Sequence, residues 1–198
     1  MQTIIKRYPR SRSAIMPLLH YVQSVSGYVT NEGIETISEL LEIETAEVSA
    51  VATFYTQYKR KPVGEYHVGV CTNTLCAVMG GDAIFAALKD HLGIENDGVT
   101  ADGKVSLEHI ECNAACDYAP VVMANWEFYD NQTVESAKSL VDGARAGNPP
   151  APTRGPNRLV TYKEASAVLA GLDDGLAREG VQAGEATLLG LKLSKEGK

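Results

Sequence analysis

The chain has 198 residues, of which 44% are apolar, and a formal net charge of -7 at pH 7. This length and composition predict a folded protein with one good core and a smaller second unit, and they exclude a chain that is disordered throughout. No stretch approaches the ~18 consecutive apolar residues of a membrane span, and the first residues lack the apolar segment of a signal peptide. The negative charge argues against non-specific nucleic-acid binding. We therefore expect a cytoplasmic protein with no membrane span.

Apolar residues at helical spacing predict three short helices within the first 60 residues. The first ends at Gly27, the second follows Asn31 and the third follows Thr45. Gly64 then interrupts the pattern. We expect residues 1–62 to form an N-terminal helical bundle.

The pattern changes to strand alternation just before Cys71 and again before Cys112, with a helical pattern ending at Gly93 between them. Two short strands around Asn125 and a further helix complete a β-α-β-β-α order. The sequence therefore predicts an α+β or α/β fold, in which residues 63–147 form a second domain with a mixed β-sheet.

The last 51 residues begin with a proline-rich segment, NPPAPTRGPNR, which is typical of a linker. Thr161 and Glu164 have the spacing of a capping box, so we expect a short helix as far as about Leu172. The remainder is rich in glycine and has too few apolar residues for its own core. We expect residues 148–198 to be a C-terminal tail that is disordered or ordered by a partner.

The four cysteines form two pairs, Cys71 with Cys76 and Cys112 with Cys116, separated by 35 residues. Because each pair follows a predicted strand, two parallel strands could bring all four sulfur atoms to the same end of one sheet. Four thiolates are the usual ligands of a 2Fe-2S cluster. The cysteines lie within residues 65–147, which hold 13 acidic and 4 basic residues. This excess indicates either a solvated acidic surface or a field that disfavours adding an electron.

Other uses of four cysteines remain open at this point. A structural zinc site also takes four thiolates, although zinc ribbons usually have two-residue gaps. A dithiol redox site would normally show CxxC, and two disulfides would require an oxidising compartment. The spacing favours iron-sulfur over zinc without excluding zinc.

The histidines and the aromatic residues Trp126 and Tyr129 are interpreted as structural and not as parts of a functional site. The four histidines are scattered singly, so we expect them at the surface or at an interface. Trp126 and Tyr129 are interpreted as packing residues on a strand. Because there is neither a GxGxxG fingerprint nor a Walker A motif, we expect no site for NAD, flavin or ATP on this chain.

Several motifs resemble one family when taken together. They are the two cysteine pairs, a helix end ATFYTQY followed by P-x-G, and the sequence C-x-x-x-C-D-x-A-P, all in order within residues 8–147. This part of the chain resembles the thioredoxin-like 2Fe-2S subunit of respiratory NADH dehydrogenase, which is the E-type subunit of complex I. The resemblance implies a helical bundle beside a thioredoxin-like domain. It also implies that Cys71, Cys76, Cys112 and Cys116 hold one 2Fe-2S cluster.

The resemblance further implies a role in electron transfer within NADH:quinone oxidoreductase, with no complete active site on this chain alone. NADH, FMN and a 4Fe-4S cluster are expected on an adjacent subunit of the F type, beside other peripheral-arm subunits at the inner face of the cell membrane. Related subunits serve NAD-reducing hydrogenases and NAD-dependent formate dehydrogenases. A stand-alone ferredoxin or a zinc-stabilised interaction module is the remaining alternative.

Overall fold

The computed structural model describes residues 1–197, which divide into two compact units. The first comprises Met1–Val63 and Val160–Asp174, and the second comprises Gly64–Leu159 and the segment from Gly175 onward. Residues after 147 are thus shared between the two units, which differs from the separate tail expected from the sequence. Among the described residues, no helix is long and apolar enough to cross a bilayer.

Helices and strands are numbered in chain order. The helices are α1 Gln2–Ile5, α2 Ile15–Ser26, α3 Asn31–Leu41, α4 Thr45–Phe54, α5 Thr74–Val78, α6 Gly81–Leu92, α7 Val134–Arg145, α8 Tyr162–Leu169 and α9 Glu185–Lys195. The strands are β1 Tyr66–Cys71, β2 Gly98–Val99, β3 Val105–Ile110, β4 Val122–Ala124 and β5 Glu127–Tyr129.

The first unit contains the three helices predicted from the sequence, α2, α3 and α4. Helix α2 ends at Gly27, whose φ of 83° lies in the left-handed region that glycine adopts without a steric cost. Helix α3 begins where the Thr30 side chain accepts the Gly33 N–H at 2.9 Å. The apolar stripes of these helices form one core, which includes the buried residues Leu18, Leu19, Ile34, Ile37, Leu41 and Val48.

Helix α8 completes this first unit. Its capping box, formed by Thr161 and Glu164, confirms the helix start predicted from the sequence. Tyr162 is 1% exposed, and its hydroxyl donates to Gln23 Oε1 on α2 at 3.1 Å. This part of the expected tail therefore needs no core of its own, because it packs into the core of the helical unit.

The second unit is built on a five-stranded mixed sheet with the strand order β2-β3-β1-β4-β5. Strands β1 and β3 are parallel, whereas β2, β4 and β5 each run antiparallel to a neighbour. The α+β class with a mixed sheet is confirmed. Strand β2 and helices α5 and α9 were not predicted.

Alternate residues of β1 face opposite sides of the sheet. Val68 and Val70 lie in the core that α6 and α7 form on one face. Cys71 and Ile110 belong to a second apolar cluster, which includes Met123 and Ala119 and lies around the cysteines. The period-2 pattern of β1 therefore places Cys71 on the face opposite the main core.

Two of the four histidines are buried, so the expectation of surface histidines is wrong for His20 and His67. The His67 ring bonds Ser106 Oγ through Nδ1 and Glu108 Oε2 through Nε2, both at 2.8 Å. These bonds satisfy both ring nitrogens, which is what allows the ring to be buried. His20 is packed against the Tyr58 ring at 4.8 Å, and burial lowers the pKa of His20 to about 4.

Candidate metal centre

The four cysteines predicted as ligands lie together at one end of the sheet. Cys71 is the last residue of β1, and its register partner Ile110 is the last residue of the parallel strand β3. The four cysteines line one pocket with Asn113, Ala115 and Val121. The inference that two parallel strands bring both cysteine pairs to one edge is therefore correct.

The first pair spans a tight turn from β1 into α5. Cys71 ends the strand and Cys76 lies on the short helix, and both are 3% exposed. Helix α6 begins at Gly81, where an added Cβ would overlap the carbonyl oxygen of Cys71. Because only glycine allows this close approach, the turn is packed firmly against the start of α6.

The second pair lies on an exposed loop after β3. Cys112 Sγ and Cys116 Sγ are 3.7 Å apart, and Ala114 donates its backbone N–H to Cys112 Sγ at 3.4 Å. Ala114 adopts a left-handed φ of 55°, which turns its N–H toward that sulfur. Two sulfurs bound to one metal atom at about 2.3 Å in tetrahedral geometry lie about 3.8 Å apart. The spacing of this pair therefore suits two ligands of the same metal atom.

The Asn73 side chain joins the two cysteine loops. Its amide group makes two hydrogen bonds: the oxygen accepts the Cys112 N–H and the nitrogen donates to Glu111 Oε2, each at 3.1 Å. The sequence gives no sign of this role of Asn73, because no local pattern shows which residues of the other loop lie next to its side chain. This bridge couples the position of Cys112 to the turn that carries Cys71.

The thiols of Cys76 and Cys116 have pKa values above that of a free cysteine. Burial raises the pKa of Cys76 to about 11, and the neighbouring Cys71 adds to the shift. A hydrogen bond with Cys112 and the proximity of its charge raise the pKa of Cys116. Metal binding must therefore displace protons from these thiols, and its apparent affinity should rise with pH.

The residues around the pocket are of a kind that can hold an iron-sulfur cluster, because all four cysteines line it. Four thiol groups beside apolar Ala115, Val121 and Met123 supply the soft donor atoms and the apolar surroundings that suit such a cluster.

A mixed sheet with helices on one face and two cysteine loops at the ends of parallel strands defines a thioredoxin-like iron-sulfur protein. The family described as thioredoxin-like 2Fe-2S ferredoxin matches residues 1–145. The chain belongs to this family. The resemblance indicated by the cysteine motifs is thereby confirmed, and residues 146–198 lie beyond the matched part.

Curated relatives extend this comparison along the chain. A Mycobacterium bovis protein, named as the E subunit of NADH-quinone oxidoreductase, is 58% identical over 194 residues, covering 98% of this chain and 77% of the relative. A Rickettsia bellii protein of the same name is 42% identical over 147 residues, covering 73% of this chain and 88% of the relative.

A solved structure supports the fold. The crystal structure of an air-oxidised NAD⁺-reducing NiFe-hydrogenase matches with a TM-score of 0.60 at 19% identity, over 68% of this chain. The match spans only 23% of that hydrogenase chain. At this identity the likeness concerns the fold alone.

Proposed function

We propose that this chain is the E-type component of an NADH:quinone oxidoreductase and transfers electrons through one 2Fe-2S cluster held by Cys71, Cys76, Cys112 and Cys116. The observation that carries the proposal is that all four cysteines line one pocket, although 35 residues separate the two pairs in the sequence. The names of the relatives, at 58% and 42% identity, support the assignment to this kind of complex.

The two cysteine pairs have different tasks in this proposal. Cys71 and Cys76 anchor the centre in the apolar interior, while the exposed Cys112 and Cys116 bring it to the surface, where a redox partner can approach. The bound cluster would supply a one-electron redox centre. The Ala114 N–H would stabilise negative charge on the Cys112 sulfur.

The electron donor would be a separate subunit of the F type that binds NADH and FMN. Large apolar side chains of α5 and its end are exposed beside Cys76, with Leu75, Val78 and Met79 exposed by 43%, 80% and 56%. Side chains of this kind are usually covered by a partner when they cluster. Attachment to the membrane would then come through the assembled complex.

The test is a metal analysis of protein purified without air. We expect two iron and two sulfide per chain, a red-brown colour, and co-purification with a flavin-containing subunit from the native cell. The matched control is the chain with all four cysteines replaced by serine. One zinc per chain with no iron would overturn the cluster assignment, and iron-loaded protein without a flavin partner would overturn the proposed complex.

A further inference from the structure

The C-terminal segment returns to the loop that carries Cys116. Cys116 begins a short 3-10 turn, Cys116–Tyr118, whose last two side chains face the start of α9. The Tyr118 hydroxyl accepts the Ala186 N–H at 3.0 Å, and the Thr187 hydroxyl donates to Asp117 Oδ2. The two residues directly after Cys116 are therefore hydrogen-bonded to residues 68 and 70 positions further along the chain.

A second attachment lies just upstream of α9. The Gly155 N–H donates to the Val181 carbonyl at 2.8 Å, and residue 154 is itself fixed to strand β5. Arg154 forms an ion pair with Asp130 at 3.0 Å and lies 4.1 Å above the Phe128 ring. Residues 181–187, which we call the C-terminal clip, are thus held at both ends by the second unit.

The rest of α9 packs loosely. None of its described residues is buried, and Leu188, Leu189 and Leu191 are more than half exposed. Loss of the clip would therefore release α9 without opening a core. A substitution in the clip is therefore expected to change the mobility of the cysteine loop without unfolding the whole protein.

We propose that the C-terminal clip positions the cysteine loop: by bonding Asp117 and Tyr118 it holds Cys116 in its ligand position and slows release of the metal centre. The clip lies beyond residues 1–145, the part of the chain that matches the family. The part of this proposal that concerns cluster release rests on the proposed function, whereas the part that concerns loop mobility does not.

Gly184 allows the clip to be displaced by one methyl group. Its φ of -89° and ψ of 179° suit any residue, yet a Cβ there would overlap the Tyr118 hydroxyl oxygen. Gly184→Ala should therefore push the segment off the loop without straining the backbone. Gly190→Ala is the matched control, because nothing in the described chain lies within 4 Å of a Cβ added at that position of α9.

Hydrogen exchange of the full-length, metal-free protein tests loop mobility. We expect amides of residues 112–118 to exchange about fivefold faster in Gly184→Ala, as the loss of a hydrogen bond worth about 1 kcal/mol implies. Gly190→Ala should exchange like the wild type. Equal exchange in all three proteins would overturn the proposal, whether or not the chain binds iron.

Loss of visible absorbance in the presence of an iron chelator tests cluster release. Gly184→Ala and Thr187→Val should lose the cluster about fivefold faster, for the same reason. Thr187→Ser, which keeps the hydroxyl, should restore the wild-type rate and the wild-type electron paramagnetic resonance spectrum. Failure of Thr187→Ser to restore them, or wild-type release in Gly184→Ala, would contradict the role of the clip. A chain that takes up no iron would contradict the proposed function. The hydrogen-exchange measurement would then still test whether the clip restrains the cysteine loop.

Discussion

Cys71 lies beside Ile110 as the last register pair of the two parallel strands. Cys112 follows Ile110 by two residues, so both cysteine loops leave adjacent strands at the same edge of the sheet. Parallel strands always present their carboxyl ends together, which makes this edge a natural place to assemble groups distant in sequence. The gathering of the four cysteines is therefore a consequence of strand direction.

Replacing any one of the four cysteines by serine should weaken the metal centre. Loss of a positioning residue around a metal commonly costs about 10–100-fold in affinity, and loss of a ligand should cost at least as much. Iron content and visible absorbance after desalting measure the effect. Thr74→Ser, in the same turn as Cys76, is the control, and a serine variant with full iron content would remove that cysteine from the ligand set.

Replacing Asn73 by alanine should accelerate cluster loss by about tenfold, because the amide joins the two loops at Glu111 and Cys112. Asn113→Ala is a matched control, since Asn113 bonds the Glu111 carbonyl within its own loop. The rate of absorbance loss in chelator measures both. Release of the cluster from Asn73→Ala at the wild-type rate would show that the bridge between the loops has no special role.

Replacing Glu111 by glutamine should raise the reduction potential of the centre. The exposed carboxylate adjoins Cys112, and its negative charge disfavours an added electron. A unit charge about 10 Å away in water-like surroundings shifts a one-electron potential by about 20 mV. A redox titration at low salt measures the shift, and high salt should reduce it. Asp90→Asn, nine residues along α6 from Gly81, should change the potential less.

The buried His20 should make the protein less stable in mild acid. Its folded-state pKa is lowered to about 4 from an ordinary value of 6.5, because burial disfavours the charged ring. The contribution of His20 to the free energy of unfolding is therefore fully present above pH 6.5. It falls as the pH drops from 6.5 toward 4, because in this range the ring is protonated in the unfolded state but not in the folded state. Between pH 7.5 and 5 the loss should be about 2 kcal/mol.

Urea unfolding at both pH values measures this loss, and His20→Leu should remove it. Within the described structure His20 Nδ1 has no hydrogen-bond partner, so an apolar side chain there leaves no polar group stranded. A wild type that unfolds at the same urea concentration at pH 7.5 and 5 would refute the assignment of the pH dependence to His20.

The exposed leucines of α9 should contribute to binding of the flavin-bearing subunit. Leu188→Ser with Leu191→Ser removes two side chains that are 53% and 51% exposed, which should leave folding unchanged and weaken binding about tenfold or more. Val25→Ser, at a residue 61% exposed on α2, is the control. Binding can be measured by surface capture of the purified partner. Unchanged affinity would show that the leucines lie outside the interface.

The sequence predicted the elements that carry a strong period, such as α2, α6 and β1, and the cysteine spacing predicted the shared pocket. It did not predict β2, which has two residues, or α5, which has five, because elements this short show no measurable period. It also placed His67 at the surface. A strand period shows only which side of the sheet a residue faces, and the Ser106 and Glu108 partners that allow burial come from another strand.

The return of α8 to the helical unit has a consequence for synthesis on the ribosome. The Gln23–Tyr162 contact joins residues 139 positions apart, and the second unit's sheet is encoded almost wholly between them. A chain made from its N-terminus at about 5–20 residues per second has α2, α3 and α4 available many seconds before α8 emerges. The helical unit therefore lacks its final helix until the whole sheet of the second unit has been made, so the strands that carry the cysteines can pair before Tyr162 is available to the helical unit.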